Sequence, residues 1–385
     1  MAGLLLLWDE VIENEPVRRR APEGNEMRVA RRRLRDHQDP FDAPDEYFRN
    51  IFRVNKELAR DLIAAVRPHL RQRTRAQGLS AECQVLCAVR FYAVGSYQRS
   101  VGQDFLVALS QTAVSRCVRQ VSTIINHHLL RRWVKFPATP HDRQAAVHLF
   151  QQGPRPFPGA LGAIDCTHVY ILKPREHEEA YGSAAYLSLS MFQICDPTMK
   201  ILDVDPRHPG TRHDSAIWMQ SSARRMMELC YREGERKVWL IGDSGYLTEP
   251  WLMIPINGAD PNTPEGRYTT ALCRTRAIVE QCIGLLKMVW RCLCQQRVLM
   301  YEPAVVGEMV NACVVLHNMR LYYRVPQDDI PPPEVAEPPP QHPPPPDAGG
   351  RPAEELHQVQ SWYPKQTRSI AAQYQILYIK QNIDF

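Results

Sequence analysis

Nowhere in this 385-residue chain is there an apolar run long enough to cross a bilayer. The start, MAGLLLLWDE, has a short apolar stretch, but acids cut it off and no basic segment precedes it. Neither a signal peptide nor a membrane span is predicted there. Paired cysteine spacing is lacking as well. The 11 cysteines are odd in number, and neither Cys83/Cys87 nor Cys292/Cys294 has zinc-knuckle spacing. This argues against a disulfide framework and predicts mostly buried thiols in a reducing, intracellular compartment. No internal repeat is found. A strong charge of one sign is also missing: the net charge of +5 permits a nucleic-acid partner without requiring one. What is there is a soluble chain, 44% hydrophobic and 23% charged, sized for one sizeable core and a smaller one.

Residues 1–45 are polar and charge-mixed, with Arg18-Arg19-Arg20 and Arg31-Arg32-Arg33-Leu34-Arg35. The interspersed acids favour a flexible, solvated arm over a nuclear-import or DNA-backbone segment. Residues 46–145 read as helical, because Lys56–Leu70 and Ala81–Ala93 place apolar residues at spacings of three and four. Ser110 is the expected cap of a further helix whose apolar stripe is Val114, Val118, Val121 and Ile125. Gln111, Ser115, Arg116 and Arg119 lie off that stripe. With a short helix at Val101–Leu106 before it, this reads as a helix-turn-helix that meets DNA, or equally as a helical bundle with a wet face.

Residues 157–325 change character. Strand-like runs come first, at Pro158–Ile164, Val169–Leu172, Tyr186–Cys195 and Lys200–Val204, the last two joined by the turn residues Asp196-Pro197-Thr198-Met199. A helix from Ser215 to about Arg232, a buried strand at Val238–Ile241, and helices at about Thr270–Val298 and Ala304–Arg320 complete an α/β pattern. Residues 326–355 are a proline-rich, disordered segment, and 356–385 form a tail ending on the more apolar Gln373–Phe385.

Two apolar strands are expected to end in carboxylates, Ala163-Ile164-Asp165 and Ile241-Gly242-Asp243. A strand end is a rigid mount, and a neighbouring glycine lets a substrate come close. Glu280 is a third candidate. On a helix, Arg276, Glu280, Gly284, Lys287 and Arg291 share one stripe, and Ile278, Cys282, Leu285 and Val289 another. Separated carboxylates suit Mg²⁺ or Mn²⁺ and two-metal phosphodiester chemistry. Singly, each acid also has a plain structural role: Asp165 and Asp243 as turn residues, Glu280 as an ion-pair partner of Arg276, Asp214 as a helix cap. As a set Asp165, Asp243 and Glu280 point to metal chemistry. The GDSG tetrapeptide at Gly242–Gly245 offers Ser244 as a rival nucleophile. A trypsin-type triad needs an all-β scaffold with an upstream histidine and aspartate, which a helical first half does not supply.

Five segments occur in order: Gly162-Ala-Ile-Asp-Cys-Thr-His168, Pro209-Gly-Thr-Arg-His-Asp-Ser215, Gly242-Asp-Ser-Gly-Tyr246, Arg276-Ala-Ile-Val-Glu-Gln-Cys-Ile-Gly-Leu-Leu-Lys287 and Leu316-His-Asn318. Together they resemble the DDE-type endonuclease domain of PIF/Harbinger transposases, and more closely the Harbinger transposase-derived nucleases of animals. The stretch from Val85–Tyr97 through Ser115-Arg116-Cys117 resembles the same family's DNA-binding region. The resemblance implies an RNase H-like DDE nuclease domain preceded by an all-helical, helix-turn-helix-like region. It assigns Asp165, Asp243 and Glu280 as the catalytic acids and Asp214 as a further metal ligand. His168 and His213 stand beside these as supporting or merely packed residues. The implied cofactor is Mg²⁺ or Mn²⁺ and the implied substrate is DNA. A Myb/SANT-like DNA-binding protein is an implied partner, the implied locations are nucleus and cytoplasm, and a homo-oligomer is left open. Candidate DNA contacts are Gln111, Ser115, Arg116, Arg119, Arg276, Lys287 and Arg291. The chain departs from the family in three places. The connection Asp104–Leu109 is longer and has no glycine, Cys282-Ile283 replaces Thr-Phe, and His208 stands where Trp is common. All four acidic positions are intact. The alternative reading is a catalytically inert DNA-binding or scaffolding protein on the same fold.

Overall fold

The computed structural model describes residues 25–70, 78–95, 97–104, 106–172, 182–183 and 186–327. Arg18–Arg20, the proline-rich segment beyond Gln327 and the tail lie outside the described residues. The described part of the charged arm is helical, α1 (Asn25–Asp36), with Arg32 paired to Asp36 one turn on. Helices α2 (Asp45–Phe52), α3 (Lys56–Val66) and α4 (Ala81–Val94) follow. Asn55 and Ser80 start the latter two by accepting the N–H groups of Leu58 and Cys83. Their inward faces bury Phe48, Phe52, Leu58, Leu62, Val85 and Val89.

Two further helices are α5 (Gln98–Gln103) and α6 (Gln111–Ile124), so α5 lies earlier than the expected Val101–Leu106. Asp104 ends it. Its carboxylate takes the Arg90 guanidinium at 2.8 Å and the Leu106 N–H at 3.2 Å, a local arrangement that competes with helical backbone. Ser110 caps α6 through the Ala113 N–H, and Val114, Val118, Val121 and Ile125 are all buried. A π-helical turn, Ile125–Leu129, leads into α7 (Leu130–Trp133) and then α8 (Pro140–Gln152).

The sheet comprises β1 (Ala160–Tyr170), β2 (Gly182–Ser183), β3 (Tyr186–Cys195), β4 (Ile201–Pro209), β5 (Trp239–Ile241) and β6 (Leu252–Met253). Helices α9 (Asp214–Gln220) and α10 (Ser222–Arg232) separate β4 from β5, and α11 (Pro264–Val289) and α12 (Pro303–Tyr322) follow β6. In space the order is β4-β3-β1-β5-β6, with β2 also on β3. β3 is antiparallel to β1 and β4, whereas β5 and β6 run parallel to β1. β1 does not stop at Ile164 as expected. Pairing with β3 carries it on to Tyr170↔Ser188, while pairing with β5 ends at Ala163↔Ile241. Asp165 is therefore mid-strand, at the point where β1 loses its parallel neighbour.

One face of the sheet (Ala163, Met191, Cys195, Ile241) shares a core with α11, α12 and the N-terminal helices. The other face (Ile164, Phe192, Ile194, Leu240) packs on Ile217, Trp218 and Met227 of α9 and α10. α12 is buried on all sides because β4 and α6 both press on it. Its His317 lies 2.7 Å from the Met199 carbonyl, and Asn318 exchanges hydrogen bonds with Ile201 N–H and C=O. The Leu316-His-Asn318 motif is thus a clamp on the β3–β4 turn, where Met199 adopts φ 64°. α11 starts at Pro264, capped by Thr263, and ends earlier than the expected Val298. Trp290 leaves helical geometry and is buried together with Cys292 and Leu293. Arg291 consequently does not continue the Arg276–Lys287 stripe. Among the described residues no helix is long and apolar enough to cross a membrane.

Candidate active site

β5 delivers the chain to Gly242, whose N–H still bonds the Met253 carbonyl at 2.9 Å. A Cβ on Gly242 would lie 3.0 Å from the Tyr246 ring and 3.2 Å from Ile164, so a larger residue would have to push these side chains aside. Asp243 is the next residue. Its Oδ1 accepts the Gly245 N–H at 2.9 Å, which fixes the carboxylate in a tight turn. The last β1/β5 pair is Ala163↔Ile241. Two residues on in each chain stand Asp165, still in β1, and Asp243, in the turn after β5, close enough for the Asp243 charge to act on Asp165. Burial pushes the Asp165 carboxyl up to about 6. The Asp243 and Asp214 charges add to that rise, and Arg276 and the Cys166 N–H oppose it.

Glu280 comes to this place from α11, and Arg276 joins the two elements. Its Nη1 donates to Asp165 Oδ2 at 3.3 Å, and its Nη2 donates to Glu280. One guanidinium thus bridges a strand acid and a helix acid. The Arg276 and Asp165 side chains are 17% and 16% exposed and that of Glu280 is 54% exposed, so Glu280 marks the open side of the cluster. Lys287 anchors α11 further along β1, donating to Thr167 Oγ1 and to the His168 carbonyl, each at 2.8 Å. Burial holds its ammonium below the ordinary lysine value.

Asp214 is not the helix cap. His213 fills that role, its ring accepting the Ser215 N–H at 3.4 Å, and Asp214 is the first residue inside α9. Burial raises the Asp214 carboxyl, and a hydrogen bond from the Cys166 thiol pulls it back down. Cys166 points to the opposite face of β1 from Asp165, with Tyr246 Oη 3.7 Å away. Asp214 therefore approaches the pair of strand acids from the other side of the sheet. His168 pairs through Nδ1 with Ser188 Oγ at 3.1 Å.

The structure thus gathers Asp165, Asp243, Asp214, Glu280, Arg276, Lys287 and His168 around the middle of β1 and the carboxyl end of β5, where the two strands part. The α6 candidates stand on a different element. Gln111, Arg116 and Arg119 are exposed there, Ser115 is half-buried, and the Arg119 guanidinium lies 5.8 Å from the centre of the Tyr301 ring. Sequence reasoning missed Cys166 and Tyr246 as neighbours of Asp214. Strand alternation past Asp165 was the available signal for Cys166.

Residues 164–318 match the family model described as DDE superfamily endonuclease. Putative nuclease HARBI1 of Homo sapiens is 32% identical over 284 residues, covering 73% of this chain and 79% of its own length. The chain belongs to the Harbinger transposase-derived nuclease family of the DDE superfamily. The Xenopus laevis HARBI1 is 29% identical over 289 residues, 73% of this chain and 80% of its own. Protein ALP1-like of Arabidopsis thaliana is 21% identical over 295 residues, 71% of this chain and 70% of its own. A solved chain from the Mos1 transposase paired-end complex with left transposon end aligns at 13% identity with a TM-score of 0.18, which carries no argument.

Endonucleases of the DDE superfamily generally use divalent metals. As the side chains stand, no three His, Cys, Asp or Glu groups among the described residues converge closely enough to hold an ion. The donor set nevertheless fits one. Its donors are carboxylate oxygens, which Mg²⁺ and Mn²⁺ prefer, and burial raises Asp165 and Asp214, with the charge of Asp243 adding to both. The Arg276 guanidinium between Asp165 and Glu280 stands as a cation at this very place. Ser244, the rival nucleophile, is exposed, and among the described residues its hydroxyl makes no hydrogen bond to a histidine.

Proposed function

We propose that this chain is a transposase-derived, divalent-metal-dependent endonuclease that hydrolyses DNA phosphodiester bonds, with transposase activity as an open extension. The observation that carries the reading is the pair Asp165 and Asp243, two residues past the last β1/β5 pair, with Glu280 brought to them through Arg276. The strand order, with β3 antiparallel beside β1 and β5 and β6 parallel on its other side, supports an RNase H-like fold. Asp165, Asp243 and Glu280 would hold Mg²⁺ or Mn²⁺, with Asp214 as a further ligand. A bound pair of such ions supplies an activated water and stabilises the leaving oxygen.

The protein's own part is positioning. Asp243 is held by its turn to Gly245, and Asp165 by the Cys166 N–H at 2.9 Å. Arg276 turns from the acids to a phosphate oxygen as the substrate arrives, and Lys287 adds positive charge beyond it. His168 and His213 support the neighbouring ligands. In the helical region, Gln111, Ser115, Arg116 and Arg119 of α6 form the helix-turn-helix-like DNA contact. The same reading places the chain in nucleus and cytoplasm with a Myb/SANT-like partner, and leaves a homo-oligomer open.

The test is nicking of supercoiled DNA by purified protein, with and without that partner, in Mg²⁺ or Mn²⁺. Wild type should nick, and Asp243→Asn should lower the rate by at least about 100-fold with the fold retained. Equal background cleavage by both proteins sinks the enzymatic reading. One observation favours the inert alternative: Arg276 already pairs with both Asp165 and Glu280, where a cation would bind. That alternative predicts salt-sensitive DNA binding with no metal-dependent cleavage.

A further inference from the structure

Gln193 lies in the middle of β3, directly opposite Asp165 on β1 and Val204 on β4. Directly opposed residues project to the same face of a sheet, with their Cβ atoms about 4.5–5.5 Å apart. The Gln193 carboxamide therefore lies beside the Asp165 carboxylate, on the face that Met191 and Cys195 share with α11. Gln193 is 0% exposed, and neither its Nε2 nor its Oε1 has a hydrogen-bond partner. A buried amide left unpaired costs free energy that an apolar side chain of the same shape would avoid. Packing gives no reason for it, since Met191, Phe192, Ile194 and Cys195 around it in β3 are apolar and buried.

The neighbouring acid supplies a reason. Asp165 Oδ1 is held by the Cys166 N–H at 2.9 Å. Oδ2 is held by Arg276 at 3.3 Å, and that guanidinium is shared with Glu280. Arg276 sits on a different element at the end of a long side chain. Once a cation bound by the acids repels it, Oδ2 needs a second donor to keep its direction. Carboxylates that bind metals are characteristically held in this way by a hydrogen bond from behind.

We infer that Gln193 is a positioning residue for Asp165. When Arg276 leaves, the Gln193 Nε2–H group donates to Asp165 Oδ2 and keeps the carboxylate aimed toward Asp243. Gln193 itself touches neither ion nor substrate. The inference rests on the reading of Asp165 and Asp243 as metal ligands.

The experiment measures Mn²⁺ binding to the full chain by calorimetry, with thermal melting alongside. Gln193→Met removes the amide at similar volume. Its melting temperature should not fall, because a buried unpaired group has gone, while its Mn²⁺ dissociation constant should rise by about tenfold. In an Arg276→Gln background the same change should cost about as much as in wild type, since Arg276 has left Oδ2 in the metal-bound state of both. Gln193→Met binding Mn²⁺ within about twofold of wild type, while Asp243→Asn binds several-fold more weakly, overturns the positioning role. If Asp243→Asn also leaves Mn²⁺ binding unchanged, the metal-site reading itself fails. A second measurement needs no variant. In wild type carrying ¹⁵N-labelled glutamine, saturating Mg²⁺ should shift the Gln193 side-chain amide signals and slow their exchange. Signals that stay in place also overturn the inference.

Discussion

Asp203 on β4 is a carboxyl outside the candidate site on which burial acts strongly. Burial pushes its carboxyl up to about 6, the Asp205 charge adds, and the Val204 N–H and Arg207 oppose. An unfolded aspartate titrates near about 3.9, so the folded form holds its proton more tightly. The resulting stability is fully present below about pH 4 and is lost as pH rises through about 6. Asp203→Asn keeps an acceptor for the Val204 N–H and removes the charge. Its melting temperature should exceed that of wild type by several degrees near about pH 8, with the gap closing near about pH 4. An equal gap at both pH values would point to some other cause. At this scale the sequence showed which residues carry charge but not whom they meet. The Arg276–Glu280 pair was legible as an i, i+4 spacing, whereas the Arg276–Asp165 bond joins residues 111 apart. His213 was not legible as the cap of α9, because aspartate is the commoner cap and sits next to it.

Among elements, the α5–α6 connection shows what a missing glycine costs. The left-handed position between Asp104 and Leu109 falls to Ala108, with φ 44°. For a residue with a Cβ that conformation costs roughly 1–2 kcal/mol. The glycine stands earlier, inside α5. A Cβ on Gly102 would lie 2.3 Å from the Leu109 carbonyl oxygen, and the Gly102 carbonyl accepts the Leu109 N–H at 2.9 Å. Gly102→Ala should force α5 and α6 apart and lower stability by more than about 1 kcal/mol. Ala108→Gly should raise it by up to about 1 kcal/mol. Denaturant unfolding measures both, and opposite signs would show that the strain lies elsewhere. Sequence patterning located β3, β5 and the start of α6 well, but it stopped β4 at Val204 where the strand runs on to Pro209. It could not find β2 and β6, which are two residues each and leave no periodic trace. It also split β1, because the apolar run stops at Ile164 while the pairing with β3 continues.

At the scale of the whole molecule, one buried core runs from Phe48 to Val325 and draws on helices and sheet together. α12 is its shared member. Across the junction Thr123 Oγ1 donates to Glu308 at 2.6 Å, and Asn311 donates to Asn126 at 2.7 Å. Helices and sheet should therefore unfold together. Calorimetry of the full chain should give a single transition whose measured enthalpy equals the van't Hoff value. Two resolved transitions would count against a common core. The sequence did indicate one sizeable core and a smaller one, and the smaller lies under α9 and α10. It could not show that the larger one bridges the two halves, since those contacts join residues 185 apart.

The shared helix also bears on where a cut would fall. Because α12 packs on both α6 and β4, the exposed face carrying Arg116 and Arg119 cannot drift relative to Asp165 and Asp243. A duplex gripped by that face would be presented to the carboxylates at a single offset along its axis. The molecule would behave as a ruler with a fixed graduation, not as a blade on a tether. Mapped nick positions should then cluster at one distance from the bound site, and lengthening the chain outside the core should leave that distance unchanged.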